Sequence, residues 1–210
     1  MTIMHSVNDK RERQRRTLAL FLPYLPTERI IRARGQPEAP FALTEKQRGA
    51  VVITAPDRQA VALGLGAGMK LADARARVPD LLAFDHDLLA DAQLLDRLAE
   101  ACERYTPMIA VAPPHALILD ITGATHFYNS EEALARDAED RLDAVGYSAH
   151  WALASTPDAA LALARHGLKE GAEGQLPVSA LDMDAKTHQA LERAGLYKIG
   201  DLSDRPRPNL

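Results

Sequence analysis

The sequence predicts an α+β protein in which a mixed sheet is flanked by helices and a smaller subdomain is inserted. Short apolar or β-branched runs alternate along the chain with segments of helical periodicity. Ala and Leu, which favour helix, supply much of the 47% hydrophobic content. Charged residues make up 26% of the 210 residues, which is ordinary for a globular chain that buries a core.

Charge and cysteine content restrict the classes of function. A net charge of −4 argues against a chain that coats nucleic acid by itself, because phosphate neutralisation needs a basic surplus. The single cysteine, Cys102, allows no internal disulfide and suits a reducing cytoplasm. The early apolar run at 18–22 is too short to span a membrane and lacks a secretory cleavage pattern. We therefore expect a cytoplasmic protein without a membrane anchor.

The beginning of the chain predicts a tail, a strand and a helix. Residues 1–16 are polar and net positive, which indicates a solvated basic tail or, alternatively, an arm that contacts nucleic acid. The apolar run at 17–22 favours a buried strand over a helix of useful length. Thr27 is the expected N-cap of the next helix, and the prolines and glycine at 35–40 predict a loop.

The next segment predicts two strands around a short helix. Residues 50–55 are rich in β-branched side chains and favour a strand, whereas the polar, glycine-punctuated residues 56–68 indicate a loop. Residues 69–77 predict a helix that ends before Pro79, and 81–84 predict another strand. The expected apolar side of that helix is Leu71, Ala72 and Ala76.

The clearest helix is predicted over 87–104, where apolar residues recur at helical spacing. Two apolar runs, 108–112 and 116–122, follow on either side of Pro113-Pro114-His115 and predict adjacent antiparallel strands. The apolar stripe of the helix is expected to comprise Leu88, Ala92, Leu95, Ala99 and Cys102.

The last part of the chain predicts helices with recognisable caps. Ser130 is a good N-cap for a helix that reaches Val145, and Thr156 caps another that Gly167 closes. The alternation at 147–154 indicates a half-buried strand between them. A composition break at 169–174 predicts a linker that leads to a further helix after Asp184.

Local motifs predict little chemistry by themselves. Gly64 to Gly68 do not directly follow a strand, and no Gly-Lys-Ser/Thr follows them, so they indicate a turn rather than a phosphate loop. Asp120 lies in an apolar strand, where a structural acceptor is the favoured interpretation, because one carboxylate cannot hold two Mg²⁺ ions. Metal-cluster spacing is absent among His115, His126, His150, His166 and His188.

Several segments in order resemble the Y-family (translesion) DNA polymerases. Residues 113–123 (PPHALILDITG) are similar to the family strand S-I-D-E-A-F-L-D-V-T-G, and 64–81 to its fingers segment. Arg104-Tyr105-Thr106-Pro107 resembles the R-Y-T/S-P before that strand, and 176–202 resembles the helix-hairpin-helix of the thumb. The resemblance implies a palm at 17–33 and 84–168, inserted fingers at 34–83, and a linker with the start of a helical thumb at 169–210.

The family's metal-binding positions carry no carboxylate here. The first catalytic Asp of the family falls on Leu22, and its Asp-Glu pair falls on His115 and Ala116. We expect these three residues to lie together with no metal between them. Without converging carboxylates a polymerase cannot clamp the two metal ions that nucleotidyl transfer requires, so the resemblance implies no metal and no cofactor.

The family's nucleotide contacts are degenerate as well. The fingers Tyr and Arg that contact the incoming triphosphate align with Arg58 and Val61, and a later lysine segment with Leu161 and its neighbours. Asp182 and Asp184 replace the Gly-x-Gly that precedes the first thumb helix, and their charge would repel a phosphate. The remaining candidate DNA-binding residues of this region are Lys186, Arg193 and Lys198.

This pattern is similar to a non-catalytic, polymerase-like branch of the family that occurs in a bacterial mutagenesis cassette. Membership implies an adaptor in error-prone translesion synthesis, damage-induced mutagenesis and the SOS response. It also implies weak DNA binding and contacts with a sliding clamp, a RecA-like accessory protein and a C-family error-prone polymerase. The expected location is the bacterial cytoplasm, at the nucleoid when the protein acts.

Two alternatives remain open at this point. One is an active Y-family polymerase with a rearranged metal site that uses carboxylates such as Asp120 or Asp57. The other is a truncated regulator that only binds proteins. Template-dependent incorporation of nucleotides would favour the first alternative, and a failure to bind primed DNA at low salt would favour the second.

Overall fold

The computed structural model describes residues 15–181 and 183–203, which form the expected α+β architecture. The expected basic tail up to residue 14, Asp182 of the thumb motif and the end of the thumb segment lie outside these residues. The strands are β1 (Thr17–Phe21), β2 (Phe41–Gln47), β3 (Ala50–Pro56), β4 (Leu82–Asp85), β5 (Ile109–Ala112), β6 (Ala116–Asp120) and β7 (His150–Ala154).

The helices alternate with these strands along the chain. None of the helices in the described residues is long and apolar enough to cross a membrane. They are α1 (Leu25–Arg34), α2 (Arg58–Ala62), α3 (Leu71–Arg77), α4 (Leu88–Cys102), α5 (Glu131–Ala144), α6 (Pro157–Arg165), α7 (Ala185–Arg193) and α8 (Ile199–Ser203).

A four-stranded sheet with the order β5-β6-β1-β7 carries the main core. Its pairings are antiparallel, and β1 is hydrogen-bonded to β6 on one edge and to β7 on the other. Leu18 and Leu20 of β1 face the large cluster that α4 and α5 cover, whereas Ala19 faces α6 on the opposite side. The small Ala19 side chain lets α6 approach the sheet closely, so β1 is enclosed on both faces.

A three-stranded sheet with the order β3-β2-β4 forms a second unit. It is mixed, because β2 runs antiparallel to β3 and parallel to β4. Ala42, Ile53 and Leu81 pack with Ala60 of α2 and Ala74 of α3 in a small core. The other face of the sheet contacts α1 through a separate apolar cluster that consists of Ile30, Phe41, Leu43 and Ala55.

A buried polar tie joins α4 to α1 and to the three-stranded sheet. Asp91 of α4 is 4% exposed, and its Oδ1 accepts a hydrogen bond from Arg29 Nε of α1 at 2.5 Å. The other oxygen lies 2.7 Å from Nε2 of His86, whose Nδ1 lies 2.7 Å from Thr54 Oγ1 of β3. A buried carboxylate is tolerated only when it is paired in this way, so the tie fixes α4 against both α1 and the three-stranded sheet.

A second tie holds the segment after α6 on the four-stranded sheet. Arg16 donates to Glu131 Oε2 at 2.7 Å and to both carboxylate oxygens of Glu170, each at 2.7 Å. Its backbone N donates to Thr122 Oγ1 at 2.9 Å. Arg16 therefore belongs to the folded domain and not to the solvated tail to which its sequence context assigned it.

Several expected elements are confirmed, notably β1, the antiparallel pair β5–β6 and the helix caps at Ser130 and Thr156. Ala133 N donates to Ser130 Oγ at 3.1 Å, and Ala159 N donates to Thr156 Oγ1 at 3.4 Å. Gly167 closes α6 with a φ of +64°, a conformation that suits glycine. These features depend on residues close in sequence, which is why they were predictable.

Other expectations were wrong at the first helix and in the three-stranded sheet. Helix α1 begins at Leu25, two residues before the expected cap Thr27, because a proline is tolerated in the first turn. Strand β2 was missed because its first half is buried and its second half exposed, which hides the alternation. Helix α2, capped by Asp57, lies in the expected loop, and the buried residue of α3 is Ala74.

Two amphipathic faces also differ from the expected ones. On α4 the buried residues are Asp91, Leu94, Leu95, Leu98 and Cys102, whereas Leu88 and Ala92 of the expected stripe are exposed. Asp91 lies on the same side of the helix as these buried apolar residues and forms its ion pair with Arg29 there. Strand β7 is buried on both faces and not half-buried, because α5 covers one face and α6 covers the other.

The tie at Asp91 predicts a large loss of stability when its carboxylate is removed. Asp91→Ala would leave the partly buried Arg29 and His86 without their partner and should lower the free energy of unfolding by about 3 kcal/mol or more. Asp96→Ala, on the exposed side of the same helix, should change it by less than about 0.5 kcal/mol. Urea unfolding followed by circular dichroism measures both, and equal values would contradict the role of the tie.

Burial of Cys102 predicts that its thiol reacts slowly and that the stability of the protein depends on pH. Desolvation raises the pKa of the Cys102 thiol to about 11, against about 8.5 in an unfolded chain. Because the folded pKa is raised, stability should be complete below about pH 8.5 and should fall as the pH rises toward 11. At pH ~8 the native thiol should react with a disulfide reagent at least ~100-fold more slowly than in urea. Cys102→Ala should abolish the reaction and reduce the pH dependence.

Candidate functional site

Leu22, His115 and Ala116, which the resemblance aligns with the family's metal positions, lie together where β1 ends and β6 begins. Leu22 N donates a hydrogen bond to His115 O at 2.8 Å, and Phe21 pairs with Ala116 in the sheet register. Leu22 is 0% exposed and Ala116 is 1% exposed, whereas His115 is half-buried. Two of the three positions therefore contribute apolar side chains to the protein interior.

This arrangement does not fit a divalent metal centre. In the part of the chain that the structure describes, no three His, Cys, Asp or Glu side chains are grouped to hold a metal ion. Burial lowers the pKa of His115; the nearby Asp91 opposes this shift, and His86 and Arg165 add to it. A neutral imidazole beside two apolar side chains offers one ligand, whereas a two-metal site needs several carboxylates that converge on two ions about 3.5–4 Å apart.

Asp120, the first alternative carboxylate, lies at the far end of β6. It pairs with Thr17, four residues along the sheet from the Ala116 pair, a separation of about 14 Å along the strand. Its Oδ1 accepts from Thr122 N at 2.9 Å, and hydrogen bonds from Thr122 lower its carboxyl pKa. Asp120 thus serves as an acceptor where the strand turns.

Asp57, the second alternative carboxylate, is 2% exposed and is used by the fold. Its Oδ1 accepts from Ala60 N at 2.8 Å and from Phe41 N at 3.2 Å. These bonds cap α2 and hold β2 against it. Asp57 and Asp120 therefore lie in different units, and each is committed to backbone donors.

Arg58, at one of the triphosphate positions, already has protein partners. Its guanidinium lies 4.4 Å from the centroid of the Tyr24 ring, and Nη2 donates to Ser148 Oγ and, at 3.4 Å, to Glu28 Oε1. Glu28, which is 8% exposed, also accepts from Ser148 N at 2.9 Å. A triphosphate would compete with this carboxylate for Arg58 and would be repelled by it.

The other nucleotide positions carry no charge. Val61 is exposed on α2, and Leu161 packs at the margin of the small cluster around α6. Sequence reasoning missed Glu28 and Ser148, which contact each other across 120 residues. It also missed Arg165, whose charge reaches His115 because α6 returns toward this end of the sheet.

The candidate DNA-binding residues lie on an exposed surface in the helical segment after the linker. Helix α7 begins after Asp184, whose Oδ1 accepts from Lys186 N at 3.0 Å and from Thr187 N at 2.9 Å. Asp201 accepts in the same way from the backbone N–H groups of Tyr197 and Lys198. Carboxylates thus occupy the amides that would otherwise be free for phosphate oxygens. The side chains of Lys186, Arg193 and Lys198 are exposed.

Comparisons with known proteins place these observations in a family. The impB/mucB/samB family model (IMS) matches residues 29–165. The curated Protein ImuB from Caulobacter vibrioides (strain NA1000 / CB15N) is 39% identical over 157 residues, which is 70% of this chain and 34% of that protein. The match to Protein ImuB of strain ATCC 19089 / CIP 103742 / CB 15 has the same values. The chain spans about a third of the length of these curated relatives.

Solved structures support the fold. DinB from Sulfolobus solfataricus superposes with a TM-score of 0.74 and 15% identity, over 91% of this chain and 60% of that chain. An insertion ternary complex of Dbh DNA polymerase gives a TM-score of 0.75 and 17% identity, over 91% and 61%. A Y-family DNA polymerase chimera, Dbh-Dpo4(243-245)-Dbh, gives 0.74 and 16%, over 90% and 61%.

At these identities the structures establish the fold, whereas the family model and the curated relatives establish the family. The likeness to ImuB confirms the polymerase-like branch that the sequence motifs indicated. The chain therefore belongs to the impB/mucB/samB family and has the fold of the Y-family DNA polymerases.

Proposed function

We propose that this chain is a polymerase fold without nucleotidyl transfer, which acts as an adaptor in error-prone translesion DNA synthesis. The observation that carries the proposal is the pair of buried apolar residues, Leu22 and Ala116, beside His115 at the family's metal positions. Without metal ions the 3′-hydroxyl of a primer is not activated, and the charge on the leaving pyrophosphate is not stabilised.

The state of the nucleotide positions supports the same proposal independently. The cation at Arg58 is engaged by Glu28 and Ser148, and Val61 and Leu161 are apolar. Metal clamp and triphosphate contacts are thus lost together. The rival hypothesis of a rearranged metal site gains no support from Asp120 or Asp57, which bind backbone donors in different units.

An adaptor of this kind holds its partners on its surface. In the proposed role the chain binds primed DNA weakly and assembles with a C-family error-prone polymerase, a sliding clamp and a RecA-like accessory protein. It acts in damage-induced mutagenesis within the SOS response, in the bacterial cytoplasm and at the nucleoid. The similarity to ImuB supports this role. The alternative hypothesis, a regulator that binds only proteins, differs from the adaptor in that it predicts no affinity for DNA.

Loss of catalysis predicts a null result in primer extension. The protein should add no template-dependent nucleotide with Mg²⁺ or Mn²⁺, because no carboxylate set holds the metals. Asp120→Ala should behave identically, since Asp120 is a structural acceptor. An active Y-family polymerase in the same assay is the positive control. Incorporation that Asp120→Ala abolishes would overturn the proposal in favour of a rearranged active site.

The exposed cations of the helical segment predict weak, salt-dependent DNA binding. Replacing Lys186, Arg193 and Lys198 together by Glu should weaken binding to primed DNA by at least about fivefold at ~50 mM salt, with little difference at ~200 mM. Fluorescence anisotropy of labelled primed DNA measures the affinity, and Arg136→Glu, an exposed cation of α5, is the matched control. No binding by the unmodified chain at low salt would favour the protein-binding regulator.

A further inference from the structure

An apolar pocket opens beside the degenerate metal positions, between the start of α4 and the turn that joins β5 to β6. We call it the α4–β5 pocket; its cavity is about 320 Å³. The apolar lining of the pocket consists of Leu88, Ala92, Leu95, Val111, Pro113 and Pro114. Of these residues, Leu95 is part of the protein core.

The apolar side chains around this pocket are unusually accessible. Leu88 is 58% exposed, Val111 is 37% exposed, and Leu89, next to Leu88 in the chain, is 69% exposed. Single exposed apolar residues are common on protein surfaces, whereas a contiguous group around a concavity indicates a contact site. Helical periodicity had assigned Leu88 and Ala92 to the core, whereas α4 buries the side that carries Asp91.

The lining of the pocket contains acidic side chains and neither Lys nor Arg. Asp96 lines the pocket and is exposed. Among the residues that the structure describes, its carboxylate forms no ion pair and accepts no hydrogen bond. Asp87 begins the same helix, and its side chain accepts only from Ala90 N in the part of the chain that the structure describes. Asp91 is balanced by Arg29. Arg29 Nη2 donates to the backbone oxygen of Asp87 at 3.3 Å, so the negative charge without a paired cation in the described residues is that of Asp96.

A second apolar groove shows that this charge is specific to one surface. It lies between the ends of α4 and α5, with Leu98, Cys102 and Leu142 in its lining. Arg104 and Arg141 line it, and no carboxylate does. An apolar segment with basic flanks therefore complements the α4–β5 pocket. The lining of the other groove offers such a segment no carboxylate, and its Arg141 is paired with Asp137 at 2.8 Å.

We propose that the α4–β5 pocket docks a partner protein segment that inserts a large apolar side chain and places Lys or Arg beside Asp96 and Asp87. The apolar anchor contacts Leu88, Ala92 and Val111, and the basic flank satisfies the rim carboxylates. This gives the proposed adaptor a partner surface next to the site where the family performs chemistry. The proposal extends the adaptor function, but its test needs neither DNA nor nucleotide, so that each can fail separately.

A panel of labelled synthetic peptides tests the proposal by fluorescence anisotropy. One peptide carries a Leu-Phe anchor flanked by Lys, a second has the same anchor flanked by Glu, and a third has Lys flanks around a Gly-Ser centre. The first should bind tightest. Leu88→Ala should weaken its binding by about fivefold, and Asp96→Lys by about three- to tenfold at low salt. Glu100→Lys is the matched control, since Glu100 is an exposed acid of α4 that does not line the pocket.

Mapping of the bound peptide separates docking from general attraction to an acidic protein. Amide chemical shifts in a ¹⁵N-labelled sample should move around Ala92, Val111 and His115. Equal affinity for the Lys- and Glu-flanked peptides, or shifts confined to another surface, would overturn the proposal. So would sedimentation that shows a dimer dissociated by Leu88→Ala, because the pocket would then be covered by a second copy of the chain.

Discussion

Strand β1 is paired on both edges and enclosed on both faces, and the rest of the fold is built around this constraint. Its neighbours β6 and β7 supply the hydrogen bonds, while α4 and α5 cover one face and α6 covers the other. The end of such a strand emerges at a defined place, and there the family carries its first metal-binding carboxylate. Here Leu22 lies at the end of the strand with no exposed surface, so the sheet buries an apolar side chain there.

The buried tie around Asp91 connects α4 with α1 and with the three-stranded sheet. Its carboxylate contacts Arg29 and His86 on the side of α4 that also buries Leu94, Leu95 and Leu98. Leu88 and Ala92, which periodicity alone places in the core, are consequently exposed beside the turn before β6. The inward packing of this face of α4 therefore leaves Leu88 and Ala92 to line the apolar pocket beside His115.

Several carboxylates in the described part of this chain accept hydrogen bonds from its backbone, which is unlike the convergence that a two-metal centre requires. Asp57 caps α2, Asp184 caps α7 and Asp201 binds the amides before α8. Glu28 accepts hydrogen bonds from Ser148 and Arg58. Each of these contacts stabilises a local turn or joins two elements.

The sequence by itself determined the α+β class, the strands β1, β5 and β6, and the caps at Ser130 and Thr156. It also determined that Leu22, His115 and Ala116 align with the family's metal positions. These features rest on short-range periodicity, on capping chemistry and on motif order. Only the tertiary structure decided the rotation of α4, the two-sided burial of β7, the existence of β2 and α2, and the contacts of Glu28 with Ser148 and of Arg16 with Glu170. Each depends on partners far apart in the chain, which local patterns do not encode because the pairing arises only when the elements pack together.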